Sequence, residues 1–526
     1  MNATDKVKIF KFQISNFKFQ IKFFRLYLSV FICGQIFLVS CFSNQSNQNS
    51  QTSEQTVFEV PNSNINLAKP LEISKRPEDV ALAKKIDETI AKSEFANARW
   101  GIFAVSLKDG RVLAARDAQK LFNPASVQKI LTSIVALDKL GANFRWQTKV
   151  FAQNQIENGT LNGDLILYGQ GAPDLSDEGI ENLANQLKAK GLQKVKGNIV
   201  GDESYFTGDA LGDGWTWNEL QWYYGAEASA LSVNLNYATL NLQNGKPVAS
   251  TAFMQVSGEV KPVQDIESVG VKRELGANKI YVWGEGKTLD VRVAVQNPAL
   301  WSATILKDAL QKKGITVEGD AKSADWKAEN KFVPENATEL AKVESQTLGE
   351  IVRKMNKDSV NLYAELILRT IGKKFGETAP DENAKLQKTR GDDSAGASVV
   401  KKWLAENNIA SDEIKIHDGS GLSRLDFVTP EALGRALVFA AQSKFADVFR
   451  SSLPIAGTDG TLRGRLGNVS GKILGKTGSI TYVNALAGYA NNSNETLAFV
   501  ILCNNETRKS DSSAVIDSIA TKLAGN

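Results

Sequence analysis

A serine and a lysine three positions apart are the first residues in the sequence that could do chemistry together. Ser126 and Lys129 begin a run whose apolar residues recur at helical spacing. Side chains three apart on a helix share one face, so this hydroxyl and this amine come within reach of each other. A buried lysine can lose its proton and activate a neighbouring serine. The pair therefore predicts a serine nucleophile that needs no histidine.

Two later groups extend this pattern. Ser359-Val360-Asn361 stands at a predicted helix start, and Lys476-Thr477-Gly478 stands in a strand-like segment near the C-terminus. In this order and context, the three groups match the motifs of the penicillin-recognising serine enzymes. Taken alone, the first pair also fits a helix-capping serine beside a surface lysine, because both residue types are common. The order of all three groups favours the catalytic interpretation.

The sequence contains one histidine, His417, which limits the alternative sites. A Ser-His-Asp triad would have to use it, but Asp418-Gly419-Ser420-Gly421 follows directly and suits a turn better than a positioned imidazole. The sequence has no G-x-S-x-G elbow. One histidine and three cysteines leave little from which to build a zinc or iron site. We therefore expect neither a metal nor an organic cofactor.

The segments around the motifs resemble those of one family over roughly residues 85–524. The sequence is similar to the low-molecular-mass class C penicillin-binding proteins, which are D-alanyl-D-alanine carboxypeptidase/endopeptidases. The similar segments are NPASVQKILTS, LGANFRWQT, GQGAPDL, GDESYF, DGSGLSR, AGTDGTLRGRL and GKTGSITYVNALAGY. The 233 positions between Ser126 and Ser359 resemble the extra modules that this family inserts between its first two motifs. The resemblance implies a peptidase that acts on peptidoglycan stem peptides and is acylated by β-lactam antibiotics.

The resemblance implies how the bond would be attacked. Ser126 would attack the carbonyl of a terminal D-Ala-D-Ala bond, and Lys129 would take its proton. The backbone N–H groups of Ser126 and Ser479 would form the oxyanion hole. Ser359 would relay a proton to the departing amine, and water would then cleave the acyl-enzyme.

The resemblance also implies how the substrate would be held. Asn361 would hold the substrate amide. Lys476 would supply positive potential, and Thr477 would bind the terminal carboxylate of the substrate. Gly478 would let its strand approach the substrate closely.

Three further residues match family positions that recognise the diaminopimelate side chain: Asp202, Phe206 and Arg424. Asp202 also fits a turn residue, and Arg424 also fits an arginine that holds the loop around it. The sequence departs from the family pattern at Val360, where Asp or Asn is usual, and at Thr481, where Gln is common. The preference for diaminopimelate or lysine in the substrate stays open.

The elements that must position these residues predict an α+β fold. Helices are predicted over 78–92, from about 124 to Gly141, and over 179–191, 301–314, 348–371, 395–407, 430–443 and 513–524. Strands are predicted over 100–106, 111–115, 472–474, 484–490 and 496–503, with short β-like runs from 150 to 330. The resemblance implies a β-lactamase-like transpeptidase domain, an antiparallel sheet flanked by helices. The predicted boundaries are 78–150 and 331–526 for this domain and 151–330 for an inserted β-rich part.

An aromatic group lies inside the inserted part, at Trp215, Trp217, Trp222, Tyr223 and Tyr224. Such a group fits a wall for substrate, and it equally fits a packed core.

The composition excludes several classes of protein. Of the 526 residues, 42% are hydrophobic and 23% are charged, which is ordinary globular usage and excludes a wholly disordered or multi-span membrane chain. The formal charge of +4 comes from residues 1–40, which carry six Lys or Arg and one Asp. The remainder has 56 basic and 57 acidic residues. It therefore offers no basic field for nucleic acid.

The N-terminus predicts export. Basic residues precede the apolar run Leu26–Ser40, whose 15 residues suit a signal peptide better than a bilayer span. Leu38-Val39-Ser40-Cys41 resembles a bacterial lipobox, in which the cysteine is acylated; a signal anchor with an ordinary Cys41 is the alternative. The polar residues that follow predict a flexible tether over 41–77. We expect a lipid anchor at Cys41 on the periplasmic face of the cell envelope, in a membrane that stays open.

Two other functions stay open at this point. One is a β-lactamase or esterase on the same fold, which the long insertion disfavours. The other is a catalytically silent peptidoglycan-binding protein, which would have no need of Ser126, Lys129, Ser359, Asn361 and Lys476 together.

Overall fold

The computed structural model describes residues 64–263, 268–329, 332–376, 391–410, 413–507 and 510–525. The predicted signal peptide 1–40, the lipidation residue Cys41 and the tether as far as residue 63 lie outside the described residues. Within the described part, no helix is long and apolar enough to cross a bilayer.

The last part of the predicted tether is packed, which corrects the expectation that it is flexible as far as residue 77. Leu67 is buried in the main core, and its carbonyl accepts a hydrogen bond from the guanidinium of Arg435. Ile73 forms a β-bridge with Val112. Leu67 and the partly buried Ile65 and Leu71 remove apolar surface from water by packing on the main core, which a purely polar tether could not do, whereas Ile73 stays exposed.

Ten α-helices lie within the described residues, and most of them agree closely with the predicted spans. They are α1 (Pro77–Ala91), α2 (Lys129–Lys139), α3 (Asp177–Ala189), α4 (Pro298–Lys312), α5 (Leu348–Asp358), α6 (Asn361–Phe375), α7 (Asp392–Glu406), α8 (Pro430–Gln442), α9 (Ala446–Ser452) and α10 (Ser513–Leu523).

One predicted helix is wrong, because 348–371 is two helices and not one. α5 ends at Asp358, and Ser359 follows it in the left-handed backbone conformation, with φ 58° and ψ 41°. α6 begins at Asn361. A left-handed residue cannot continue a right-handed helix, so the chain turns at the middle motif.

Twenty strands lie within the described residues. They are β1 (Arg99–Ser106), β2 (Val112–Arg116), β3 (Gln147–Ala152), β4 (Ile156–Glu157), β5 (Thr160–Leu161), β6 (Leu165–Gly169), β7 (Lys194–Val195), β8 (Ile199–Asp202), β9 (Tyr237–Gln243), β10 (Lys246–Ala249), β11 (Gln255–Gly258), β12 (Ser268–Arg273), β13 (Lys279–Glu285), β14 (Asp290–Ala294), β15 (Thr316–Val317), β16 (Ala321–Ala324), β17 (Thr338–Glu344), β18 (Ile473–Ile480), β19 (Val483–Asn491) and β20 (Thr496–Asn504).

The motif-bearing part is built on a five-stranded antiparallel sheet in the order β18-β19-β20-β1-β2. Its strands are buried on both faces, because alternate residues enter two different cores. On β20, Phe499 and Ile501 join the core formed with α1 and α10. Val500 and Leu502 join the core formed with α2, α5, α6 and α8. The predicted α+β fold, with helices flanking an antiparallel sheet, is confirmed.

The inserted part is rich in β-structure, and it is wider than the predicted span 151–330. It contains sheets in the orders β16-β8-β6-β3-β17, β15-β7-β5-β4, β10-β9-β14 and β11-β13-β12, together with α3 and α4. β3 and β17, where the chain enters and leaves it, pair antiparallel with Lys149 opposite Lys342. The pairing of these two ends extends the insertion from Gln147 to Glu344.

Candidate active site

Ser126 lies in a 3-10 turn, Ala125–Gln128, that leads directly into α2. Ala125 has a left-handed backbone, with φ 47°, and its N–H donates to Asn123 Oδ1 at 3.0 Å. Asn123 Nδ2 in turn donates to the carbonyl of Ser423 at 3.0 Å. The Asn123 side chain thereby holds the strained turn, in which Ser126 is half-buried between buried neighbours.

Lys129 is fully buried at the start of α2, and its amine has three oxygen neighbours. Its Nζ lies 2.9 Å from Ser126 Oγ, 2.7 Å from Asn361 Oδ1 and 2.7 Å from the carbonyl oxygen of Ser420. Burial lowers the pKa of Lys129 to about 7, although nearby carboxylates oppose the shift. An amine with this pKa is neutral in about half of the molecules at pH 7.

The three neighbours of Lys129 suit a neutral amine. The oxygens of Asn361 and Ser420 are carbonyl acceptors, so they take the two N–H groups of a neutral amine. The hydroxyl of Ser126 can either donate or accept, so its proton can point at the lone pair on Nζ. A neutral Lys129 in this arrangement can accept the hydroxyl proton of Ser126.

Ser359 and Lys476 form a second contact beside the first. Lys476 Nζ donates to Ser359 Oγ at 2.9 Å and to the carbonyl oxygen of Thr477 at 2.7 Å. Lys476 is fully buried, and burial together with the charge of Lys129 holds its pKa well below the usual range. Ser359 reaches this position because its left-handed conformation turns the chain between α5 and α6.

The third motif lies on β18, which passes very close to Ser126. A Cβ placed on Gly478 would lie 2.9 Å from the carbonyl oxygen of Pro124 and 3.0 Å from the N–H nitrogen of Ser126. Thr477 Oγ1 lies 2.8 Å from Thr461 Oγ1, and Ser479 is exposed on the same strand. The structure therefore brings all three motifs together at one end of the sheet.

We predict that Gly478→Ala lowers the rate of acylation by about 10²-fold and lowers the free energy of unfolding by about 1–3 kcal/mol. The added methyl group would contact backbone atoms, so β18 or the Ser126 turn must move, and displacements of this size cost about that factor. Gly464→Ala is a matched control, because nothing lies within 4 Å of its Cβ position. Acylation by a chromogenic β-lactam measures both rates, and an unchanged rate in Gly478→Ala would contradict the prediction.

Three buried carboxyl groups lie behind Lys129, and the sequence motifs did not predict them. Glu365 Oε1 accepts from the N–H groups of Gly419 and Ser420 at 3.1 and 2.9 Å. Asp418 accepts from the N–H groups of Ser420 and Gly421. Burial raises the pKa of Glu365 to about 8 and that of Asp426 well above its usual range. These side chains fix the loop whose Ser420 carbonyl contacts Lys129.

One signal in the sequence points to Glu365. It lies four residues after Asn361, so both side chains project from the same face of α6. Its partners Gly419 and Ser420 are more than 50 residues away in sequence, and nothing in their local pattern pairs them with α6.

The three predicted recognition residues occupy different surroundings. Arg424 donates to the carbonyl of Thr481 at 3.0 Å and to Glu219 Oε1 at 2.9 Å, which links the β18–β19 turn to the insertion. Asp202 is buried at the end of β8, and its Oδ1 accepts from the N–H of Ser204 at 2.8 Å. Phe206 is buried in a cluster that includes residues of α6. The contacts of Asp202 are those of a turn residue.

His417 and a separate cleft lie away from the three motifs. His417 Nδ1 is 3.0 Å from Asp213 Oδ2, so the imidazole pairs with this carboxylate. Both residues line a cleft of about 1360 Å³, together with Phe206 and Arg369. None of the motif residues lines this cleft.

The aromatic group of the insertion is divided between two environments. Trp215 Nε1 donates to Asp418 Oδ2 at 2.8 Å, and the carbonyl of Tyr224 accepts from Asn361 Nδ2 at 2.9 Å. Trp217 and Tyr223 are exposed. Trp215 and the backbone of Tyr224 thus contact the surroundings of the motif residues. The sequence pattern alone could not distinguish this role from that of a packed core.

Comparison with known proteins matches nearly the whole folded part to one family. The model of the D-Ala-D-Ala carboxypeptidase 3 (S13) family matches residues 82–525. A D-alanyl-D-alanine carboxypeptidase of Actinomadura sp. strain R39 is 28% identical over 474 residues, covering 84% of each chain. The D-alanyl-D-alanine carboxypeptidase DacB of Haemophilus influenzae is 29% identical over 425 residues, covering 77% of this chain and 85% of its own.

A solved structure has the same fold. Penicillin binding protein 4 (dacB) of Haemophilus influenzae superposes with a TM-score of 0.71 at 27% identity, covering 84% of this chain and 98% of its own. The same protein has been solved in complex with a β-lactam, with a TM-score of 0.65 at 26% identity.

Proposed function

Because the chain belongs to the D-Ala-D-Ala carboxypeptidase 3 (S13) family, we propose that Ser126 is the nucleophile of its reaction. The family resemblance found in the sequence is confirmed, and the chain is a serine-type D-Ala-D-Ala carboxypeptidase, a penicillin-binding hydrolase. The proposal for Ser126 rests on one observation, the 2.9 Å contact between its Oγ and the buried amine of Lys129. Such a contact supplies a nucleophile and its base together.

In the proposed acylation step, the neutral amine of Lys129 takes the hydroxyl proton of Ser126 while Oγ attacks the carbonyl carbon. The negative charge that develops on the carbonyl oxygen faces the N–H groups of Ser126 and Ser479. The C–N bond then breaks, and Ser359 relays a proton to the departing D-Ala amine. The remaining peptide is esterified to Ser126 until water hydrolyses the ester and returns the proton to the hydroxyl.

Substrate would be held on both sides of Ser126. We propose that Thr477 binds the terminal carboxylate of the substrate beside Lys476, whose charged form the bound carboxylate would favour against the effect of burial, so that Lys476 supplies positive potential. Asn361 would orient the substrate amide while its side chain stays hydrogen-bonded to Lys129 and to the insertion. Asp202, Phe206 and Arg424 would contribute to recognition of the diaminopimelate side chain, with Arg424 acting from the β18–β19 turn that it contacts.

The same site would also cleave cross-linked peptides, because an endopeptidase substrate presents the same kind of bond at a D-Ala carbonyl. Digestion of purified muropeptides, separated by chromatography, tests both activities. We expect loss of the terminal D-Ala from pentapeptides and conversion of cross-linked dimers to monomers. Dimers that persist while pentapeptides are trimmed would restrict the proposal to carboxypeptidase activity.

We further propose that residues 1–40 are a lipoprotein signal and that Cys41 carries the lipid on the periplasmic face of the envelope. The support is the order of features in the sequence: basic residues come first, an apolar run follows, and this run ends in the lipobox-like residues Leu38–Cys41. The polar residues after Cys41 would let the folded part reach peptidoglycan at a distance from the membrane.

Lipidation gives a prediction with a matched control. In cells fed a radiolabelled fatty acid, we expect Cys41→Ser to lose all label and to leave the detergent phase, since the thiol is the acylation site. Cys33→Ser lies inside the signal and should keep the label. Label that survives in Cys41→Ser would exclude Cys41 as the anchor.

A further inference from the structure

The small sheet β11-β13-β12 of the insertion has one buried and one exposed face. On β13, Ile280 and Val282 are buried in the core of the insertion. Tyr281 and Trp283 point the other way and are 51% and 54% exposed. Two large aromatic side chains on the outer face of one strand are costly to leave in water, so such a surface indicates a binding function.

The exposed rings are held in place by their neighbours. Gly270 lies opposite Trp283 across the sheet, and a Cβ there would come 2.2 Å from a ring carbon, so the indole lies over the glycine. Lys272 lies opposite Tyr281, and its Nζ is 4.8 Å from the ring centroid of Trp217, which is 65% exposed. We call Trp217, Lys272, Tyr281 and Trp283 the aromatic face.

The chemistry of this face suits a sugar polymer. Fixed aromatic rings offer flat apolar surfaces on which the C–H faces of pyranose rings can stack, and their polar edges stay hydrated. On the outer side of the sheet, Lys272 and Lys279 are balanced by Glu274 and Glu285, so these four side chains carry no net charge and the rings provide the contact surface.

The aromatic face is joined to the motif residues by one segment of chain. Arg273, at the end of β12, donates to the carbonyl of Leu220 at 2.8 Å. Trp217 is two residues from Glu219, which accepts from Arg424. Residues 217–224 therefore begin at the aromatic face, with Trp217, and end at Tyr224, whose carbonyl accepts from Asn361 of the second motif. A polymer held on the face would lie against this connecting segment.

We propose that the aromatic face binds the glycan strand of peptidoglycan, separately from the site that cleaves the stem peptide. The proposal rests on the proposed function, since it takes the substrate to be part of a peptidoglycan polymer. The face holds the polymer, and successive stem peptides then reach Ser126 without complete dissociation.

The test measures binding of the purified full chain to glycan strands whose stem peptides have been removed by an amidase. We expect each of Trp217→Ala, Tyr281→Ala and Trp283→Ala to weaken binding about three- to tenfold, and the triple variant to weaken it at least 30-fold. Phe375→Ala, an exposed aromatic residue at the end of α6, is the matched control and should bind as wild type. Gly270→Ala should also weaken binding, because it displaces the ring of Trp283.

Acylation by benzylpenicillin, measured on the same variants, separates this proposal from the proposed function. We expect all of them to be acylated within twofold of the wild-type rate. Wild-type binding by the triple variant, or failure of the wild-type chain to bind peptide-free glycan, would overturn the proposal while acylation remained intact.

Discussion

Ser126→Ala is expected to abolish both peptidase activity and acylation by benzylpenicillin. Removing the hydroxyl leaves no atom to form the ester, and loss of a serine nucleophile in other hydrolases costs about 10⁶-fold in turnover. The fold should persist, because Ser126 is half-buried in a turn that Asn123 holds through the backbone of Ala125. Its thermal unfolding should therefore shift by only a few degrees.

Intact-mass spectrometry with and without benzylpenicillin measures this directly, and peptide mapping locates the adduct. The wild-type chain should gain the mass of one benzylpenicillin on the peptide containing Ser126. Ser398→Ala, an exposed serine on α7, should be acylated as fast as wild type. An adduct on folded Ser126→Ala, or on another residue of the wild-type chain, would remove Ser126 from its assigned role.

The predicted secondary structure agreed best where local signals were strong. Pro430 begins α8 at the predicted residue, and Ser513 begins α10 at the predicted residue. The break at Ser359 was predicted only in part, since the motif indicates a helix start there while the apolar spacing continues through it and predicts one helix over 348–371. Its left-handed conformation goes with a hydrogen bond from Lys476, more than 100 residues away. Tertiary contact here overrides the local helical preference.

The extent of the insertion was underestimated for a related reason. Whether residues near 147 and 344 belong to the insertion depends on the pairing of β3 with β17, which joins segments almost 200 residues apart. A short apolar run does not indicate its partner strand. The same limit kept Glu365 out of the predicted site, because its contacts with the loop at Gly419 and Ser420 depend on the packing of α6.

The motifs themselves were predictable because each is local in sequence. Ser126 and Lys129 are three residues apart, and helical geometry alone brings them together. The arrangement of the three motifs around one point needed the fold. Lys129 contacts Asn361 of the second motif, and Lys476 of the third motif contacts Ser359.

Lys129→Met is expected to lower the acylation rate by about 10³- to 10⁴-fold while leaving the fold intact. Methionine fills a similar volume without a base, and general base catalysis contributes about this factor. Methionine keeps the core packed, while loss of the amine leaves the carbonyl oxygens of Asn361 and Ser420 without this donor, so the free energy of unfolding should fall by about 1–3 kcal/mol. Lys402→Met, on the exposed face of α7, is the matched control and should keep the wild-type rate.

The pH dependence of the wild-type rate follows from the same lysine. Burial lowers its pKa to about 7, so acidification protonates the base and acylation should fall as pH drops through 7. A lysine with an ordinary pKa near 10.4 would be neutral in roughly one molecule in 2,500 at pH 7. Second-order acylation rates between pH 5 and pH 9 distinguish the two cases. A rate that keeps rising tenfold per pH unit above pH 8 would mean that Lys129 is mostly an ammonium at neutral pH, and it would contradict a pKa lowered to about 7.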